Sequence, residues 1–362
     1  MSKRERVVVA MSGGVDSSMA AALLVEQGYE VIGVMLRLWS EPGEGAANRC
    51  CTPQAMQEAR DLAYDLGIPF YLLDCRERFK AQVVDYFIQE YACGHTPNPC
   101  IACNRHIKFG FLLQMALALD ARYLATGHYA RIRQVDREYQ LLRGVDLHKD
   151  QSYVLYMLGQ EQLRHVLFPV GEYTKEQVRA IAAERGLSVA AKEESQEICF
   201  VRDHDYRRFL QVYAPETVQP GPILDSTGRE IGQHQGLPFY TIGQRRGMGV
   251  AWSEPLYVLA MDAARNALIV GPASQLGRQH LQVKEASFVA GHPPSLPAHV
   301  TTKIRYTGAE VEATLYPGDE GKVKVSLAIP LRDITPGQAA VFYQGEALLG
   351  GGIIEKVVGE AK

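Results

Sequence analysis

The stretch Val7-Val8-Val9-Ala10-Met11-Ser12-Gly13-Gly14-Val15-Asp16-Ser17-Ser18 constrains the path of this chain more tightly than any other. The β-branched run reads as a buried strand, and the paired glycines permit a tight turn with close backbone approach. Met19 to Leu24 then reads as the helix that follows. Such a turn aims several backbone N–H groups and a helix N-terminus at one point, which makes an anion site. No lysine follows the glycines as a Walker A loop requires, and the spacing is not that of a dinucleotide G-x-G-x-x-G. In a bare strand-turn-helix the glycines would serve only the turn. Ser12, Asp16, Ser17 and Ser18 at these offsets add hydroxyl donors and a carboxylate suited to magnesium, so phosphate is the expected ligand.

Apolar runs at 7–10, 31–36, 69–73 and 122–125 alternate with helical patterns at 16–27, 53–66, 76–91 and 106–119. That rhythm predicts an α/β fold with a doubly wound parallel sheet, whose ligands lie outside the carboxyl ends of the strands. Further helical pattern is read at 151–164, 174–185 and 204–213. Helical periodicity fades after Tyr213-Ala214-Pro215, and Gly- and Pro-rich sequence with short apolar runs at 256–259 and 267–270 suggests a small β domain. Period-two alternation then dominates, as at 322–329 and 340–343, and predicts a C-terminal β-barrel. The expected domains are 1–213, 214–278 and 279–362.

The 362 residues are enough for two or three domains, and 47% hydrophobic with 22% charged residues fits a globular chain without an 18-residue apolar run. No membrane association is expected. The N-terminal residues show neither a signal-type apolar stretch nor an Arg-rich presequence, so a cytoplasmic location is expected. In that compartment the seven cysteines are reduced, which favours reactive or metal-binding roles. A net charge of −3 neither announces nor excludes a nucleic-acid partner, because a local basic face is sufficient.

Thr96-Pro97-Asn98-Pro99-Cys100-Ile101-Ala102-Cys103-Asn104-Arg105-His106-Ile107-Lys108-Phe109 is the second chemical feature. Two prolines stiffen the loop and a helical pattern follows from Asn104. Cys103 is therefore expected near a helix N-terminus beside Arg105, His106 and Lys108, and both effects favour the nucleophilic thiolate. The alternative is an inert buried cysteine. A third segment, Lys192-Glu193-Glu194-Ser195-Gln196-Glu197-Ile198-Cys199-Phe200, is a polar loop with one cysteine, ambiguous when taken alone.

The glycine-serine turn resembles the SGGxDS loop of the PP-loop ATP pyrophosphatases, which cleave ATP between the α and β phosphates. With TPNPxxxCNRHIKF at 96–109, Thr126-Gly127-His128-Tyr129-Ala130-Arg131, Lys149-Asp150-Gln151-Ser152-Tyr153, the 195–200 segment and Tyr240-Thr241-Ile242-Gly243-Gln244-Arg245-Arg246-Gly247, the whole chain resembles the tRNA-specific 2-thiouridylases. Six motifs in the family's order separate it from other PP-loop families such as argininosuccinate synthetase, GMP synthetase and tRNA lysidine synthetase.

The resemblance implies adenylation of the C2 oxygen of a tRNA wobble uridine, release of pyrophosphate, and replacement of that oxygen by sulfur. It assigns ATP to Ala10, Met11, Ser12, Gly13, Gly14, Val15, Asp16 and Ser17, with Asp16 holding magnesium, and places Leu36 and Gly127 at the adenosine. It makes Cys199 the acceptor of a persulfide from a sulfur-carrier protein or cysteine desulfurase. Cys103 then forms a disulfide with Cys199 as sulfide is released. Asn98, Pro99 and Cys100 occupy the family's target-base loop, while His128, Lys149, Asp150, Gln151, Arg305, Tyr306 and Gln338 match positions facing the tRNA. Each of these has a plainer reading as solvated charge or strand filling. Arg245 and Arg246 are read either as a tRNA or carrier surface or as parts of a turn.

Cys100 departs from the aspartate many members carry and leaves the cofactor open. Cys100, Cys103 and Cys199 are candidate ligands of a 4Fe-4S cluster, and Cys93, His95, Cys100 and Cys103 a weaker zinc set. Cys50, Cys51 and Cys75 are read as structural or incidental. Two rival functions are an AMP-forming small-molecule ligase and a non-catalytic ATP-responsive RNA-binding module. The pairing of Cys103 with Cys199 argues against both.

Overall fold

The computed structural model describes residues 4–41, 52–190, 192, 198–203, 205–319 and 321–358. Cys50, Cys51 and the Glu193–Glu197 part of the third motif lie outside the described residues.

Strand β1 (Arg6–Ala10) occupies the middle of a parallel sheet because Val7, Val8 and Val9 present apolar side chains to both faces, as buried parallel strands do. It pairs with β2 (Glu30–Arg37) on one side and β4 (Tyr123–Ala125) on the other. β3 (Phe70–Asp74) and β7 (Val166–Leu167) complete the order β3-β2-β1-β4-β7. Helix α1 (Val15–Glu26) leaves β1 through the glycine turn, and α2 (Pro53–Asp65) starts on a Thr52 side-chain cap with proline in its first turn. The expected α/β class is the one observed.

Between β4 and β7 the chain builds a hairpin, β5 (Ala130–Val135) and β6 (Glu138–Arg143), that the sequence reading did not anticipate. Its outer positions carry Arg, Gln and Glu, so neither strand shows a long apolar run. The hairpin extends a second sheet, because Leu141 and Leu142 pair with Leu348 and Ala347 of the C-terminal barrel. The helical pattern at 151–164 is also corrected. Ser152–Leu155 is a 3-10 turn and Gln160–Leu163 a single short helix, since Gly159 interrupts the pattern and Tyr153 to Tyr156 are buried on all sides.

The small domain is a four-stranded sheet ordered β10-β11-β8-β9, from β8 (Gly221–Asp225), β9 (Glu230–His234), β10 (Leu256–Asp262) and β11 (Ala267–Pro272). The barrel comprises β12 (Arg278–Phe288), β13 (Ala298–Lys303), β14 (Val311–Pro317), β15 (Val323–Leu331), β16 (Ala339–Gln344) and β17 (Ala347–Val357). Pairing of β12 with both β15 and β17 closes the ring. Arg143, at the end of β6, is 7% exposed. Its guanidinium makes a two-pronged bond to the Glu310 carboxylate (2.5 and 2.8 Å) and stacks on the Tyr343 ring at 3.7 Å. That packing welds the barrel to the loop following β6. Among the described residues no helix is long and apolar enough to cross a membrane.

Candidate active site

The cradle begins where β1 ends. Met11 N–H donates to Val34 at 2.8 Å, and the chain then turns through Gly13 at φ +70°. A side chain on Gly13 would meet the Ala55 carbonyl of α2 at 2.8 Å, so conformation and space both require glycine there. Gly14 is the N-cap of α1 and makes no side-chain cap to the first turn of that helix. The turn is braced internally instead. Ser17 Oγ accepts from Ser12 N–H at 3.1 Å and donates to the Gly14 carbonyl at 3.1 Å, with Ser12 Oγ 3.2 Å away. An uncapped helix start beneath a glycine turn is a place where backbone dipoles favour an anion.

Asp16 lies in the first turn of α1. Lys175 Nζ donates to its two carboxylate oxygens at 2.7 and 2.8 Å, and the Tyr129 hydroxyl donates to Oδ1 at 2.7 Å. Sequence reasoning missed Lys175, because a lysine at the start of an amphipathic helix reads as solvated. Its Thr174 and Gln177 capping box marks the helix start and not the burial. The side chain is only 8% exposed, and that of Asp16 is 29% exposed. Lys192 Nζ donates to the Gly13 carbonyl at 2.9 Å and also bonds Glu58. The start of the third motif thus rests on the cradle. Gly127 packs against the same turn, since a Cβ there would lie 2.6 Å from Ser17 N.

The second motif starts its helix earlier than the sequence reading placed it. Asn98 caps a helix that opens at Pro99, its Oδ1 accepting from Cys100 N–H at 3.1 Å, and proline fits this first position because it lacks an N–H. Cys100 therefore sits in the first turn and is exposed, whereas Cys103 lies beyond that turn, where a ten-residue π-helical stretch (Cys103–Leu112) begins. The expected stabilisation of a Cys103 thiolate by the helix start is corrected accordingly, because the dipole effect fades within one turn.

Cys103 is 8% exposed in an apolar cluster with Phe79, Val83, Phe87, Phe200 and Phe209, and Cys199 packs against the same cluster. The two cysteines, 96 positions apart in sequence, thus border one apolar cluster. Leu36, at the carboxyl end of β2, touches both this cluster and the sheet core, so cysteines and cradle border the same edge of the sheet. Among the described residues no three His, Cys, Asp or Glu side chains gather as a metal site, so the geometry does not fit a cluster on Cys100, Cys103 and Cys199. Nor do Cys93, His95, Cys100 and Cys103 form such a group among the described residues; His95 Nδ1 bonds Glu90 at 2.9 Å. Burial raises the Cys75 thiol to about 11, with Asp74 adding to the effect, which suits an inert role.

Three family profiles match the chain in order: a tRNA methyl transferase HUP domain over 5–203, a tRNA methyl transferase PRC-barrel domain over 207–272 and an aminomethyltransferase beta-barrel domain over 278–354. Curated relatives share half their residues over nearly their full lengths. A tRNA-specific 2-thiouridylase MnmA from Moorella thermoacetica is 54% identical over 97% of this chain and 99% of its own. Another of the same name, from Roseiflexus sp. strain RS-1, is 50% identical over the same shares. The chain belongs to the tRNA-specific 2-thiouridylase family.

The positions at which the 2-thiouridylase resemblance expects tRNA divide into two groups. Cys100 and Tyr306 are exposed, Asn98, Pro99, Lys149 and Arg305 are half-buried, and Arg245 and Arg246 are exposed in the small domain. Arg305 is held by Thr335 Oγ1 at 2.7 Å and Asp333 at 3.3 Å. Gln338 donates to the Thr96 carbonyl at 2.7 Å and so ties the barrel to the proline loop.

Asp150 and His128, by contrast, are interior. The Asp150 carboxylate accepts from Gly144 N–H and Ser152 N–H, both at 3.1 Å, and from Ser152 Oγ at 2.8 Å. His128 bonds Thr126 Oγ1 at 2.7 Å and packs on Phe109 and Phe168. Burial, reinforced by the Lys108 charge, holds its ring well below the ordinary imidazole range. Gln151 Oε1 accepts from Tyr129 N–H at 3.0 Å.

Proposed function

We propose that this protein is a cytoplasmic enzyme that uses ATP to replace the C2 oxygen of a tRNA wobble uridine with sulfur. The observation that carries the proposal is the shared edge of the sheet: a braced, uncapped pyrophosphate cradle on one side and Cys103 with Cys199 on the other. Neither rival function has a use for both.

In this reading the C2 oxygen attacks the α-phosphorus of ATP and pyrophosphate leaves, converting a poor leaving group into an AMP ester. Ser12 to Ser17 hold the phosphates, and Leu36 and Gly127 border the adenosine. Lys175 and the N–H groups of α1 offset charge on the departing pyrophosphate. The Asp16 carboxylate, partly exposed and with acceptor capacity left on Oδ2, suits magnesium, which would supply further neutralisation of the phosphates. A sulfur-carrier protein or cysteine desulfurase loads Cys199 as a persulfide. The Cys103 thiolate attacks the Cys199 sulfur, the disulfide forms and hydrosulfide leaves. That hydrosulfide adds to the activated carbon and expels AMP, and a dithiol reductant afterwards restores both thiols.

Mass spectrometry of tRNA nucleosides tests the reading, using protein incubated with ATP, magnesium, a persulfide source and a tRNA bearing an unmodified wobble uridine. The expected products are 2-thiouridine, AMP and pyrophosphate, with ATP cleaved only when the tRNA is present. ADP as the product, or AMP release driven by a small acid and amine without RNA, would overturn it.

Asn98, Pro99 and Cys100 are assigned to the target base, and Lys149, Gln151, Arg305, Tyr306 and Gln338 to the surface the tRNA approaches. For His128 and Asp150 we propose support of that surface from within. Lys149→Ala and Arg305→Ala are each expected to weaken tRNA binding and to reduce its salt dependence by about one phosphate, with ATP affinity unchanged. Filter binding at several salt concentrations measures this, and unchanged slopes in both variants would remove the two residues from the interface.

A further inference from the structure

Hydrogen bonds at adjacent residues of the 149–152 loop reach the barrel on one side and the cradle on the other, and Tyr129 stands at the cradle side. On the barrel side, Tyr343 Oη lies 3.2 Å from Ser152 Oγ, which donates to Asp150 at 2.8 Å, while Arg143 bridges Glu310 and the Tyr343 ring. The next residue along the 149–152 loop, Gln151, grips the Tyr129 backbone twice, through its own N–H (2.8 Å) and its side-chain carbonyl (3.0 Å). The Tyr129 hydroxyl then reaches Asp16, 113 residues away in sequence, at 2.7 Å.

Lys175 bonds the two oxygens of Asp16 almost equally, so it fixes the charge without distinguishing one oxygen from the other. The tyrosine hydroxyl makes that distinction. It gives Oδ1 a second donor and leaves the greater acceptor capacity on Oδ2. Tyr129 is itself 3% exposed, so its ring has little freedom to move independently of the loop that holds its backbone. We propose that Tyr129 is a positioning residue for ATP cleavage: through Gln151 it transmits the placement of the 149–152 loop by bound tRNA to the Asp16 carboxylate. The proposal rests on the function argued above, and it gives the tRNA dependence of ATP cleavage a physical route. The test is a double-mutant cycle, which measures the coupling directly.

The full-length wild type, Tyr129→Phe, Gln151→Ala and the double variant are compared for pyrophosphate release with ATP and magnesium, without tRNA and with saturating tRNA transcript. Tyr129→Phe keeps the buried ring and removes only the hydroxyl. It is expected to lower the tRNA-stimulated kcat about tenfold, the scale of one charge-assisted hydrogen bond, while KM for ATP stays within about twofold. Gln151→Ala is expected to have the same signature. The double variant should fall no more than about twofold below Tyr129→Phe, since both changes interrupt one route. Wild-type rates in Tyr129→Phe, a rise in KM for ATP matching the loss in kcat, or fully additive effects would each overturn the inference. Should Tyr129→Phe fail to fold, Gln151→Ala alone carries the same expected and overturning outcomes. If the wild type releases no pyrophosphate with tRNA, the function itself fails and the inference with it. Wild-type release with an unaltered Tyr129→Phe variant fails the inference alone.

Discussion

Cys103→Ser and Cys199→Ser are each expected to remove 2-thiouridine from the product, by on the order of 10³-fold or more, while tRNA-dependent pyrophosphate release continues. The separation follows from the site. In the proposed reaction adenylation is carried by the cradle, the first turn of α1 and Lys175, none of which uses a thiol. In the proposed route one cysteine bears the persulfide and a second displaces it, and the two border one apolar cluster. A serine hydroxyl can do neither. Cys100→Ser and Cys100→Asp are expected to keep substantial activity, because Cys100 is exposed in the first turn of its helix and joins no three-ligand group among the described residues. Nucleoside mass spectrometry beside a pyrophosphate assay reads both halves. Iron and acid-labile sulfide after anaerobic purification give the contrary outcome: about four irons per chain, lost together with activity in Cys100→Asp, would replace the disulfide route by cluster chemistry.

Asp16→Ala is expected to lower ATP cleavage by about 10²–10³-fold, the range seen when a fixed electrostatic group is removed from a phosphate or oxyanion site. It also leaves Lys175, 8% exposed, without its carboxylate. A loss of about 1–3 kcal/mol in stability is therefore expected, below the value for a fully buried pair because the Asp16 side chain is 29% exposed. Asp16→Asn retains the Tyr129 hydrogen bond and most of the shape, so it separates charge from packing. Combining Asp16→Asn with Lys175→Met should recover much of the stability and none of the ATP cleavage, as read by urea midpoints and pyrophosphate release. Activity that returns along with stability would make the pair structural and remove Asp16 from the catalytic assignment.

The features legible beforehand are those whose causes lie within a few residues of one another. Val7 to Ala10 followed by two glycines dictate a strand and a turn. The Asn98-Pro99 pair contains its own helix start, although the helical periodicity is clear only from Asn104. Reading the true start needed only the capping preference of asparagine and the tolerance of proline at the first position. The hairpin at 130–143 escaped because its outer face is polar and its partner strand lies some two hundred residues away in the barrel. Asp150 reads as a surface charge beside Lys149 until Gly144, Ser152 and Arg143 are seen to enclose it.

The sequence by itself determined the pyrophosphate cradle, the α/β sheet that carries it, the family and the identity of the candidate cysteines, since strand propensity, glycine turns and motif order are local properties. Tertiary structure alone decided that Cys103 and Cys199 share one cluster, that Asp16 is paired with Lys175 across 159 residues, and that Tyr129 joins the barrel-side loop to the cradle. Those pairings depend on which buried faces pack together, and a side chain's periodicity specifies that it is buried without specifying what it meets there.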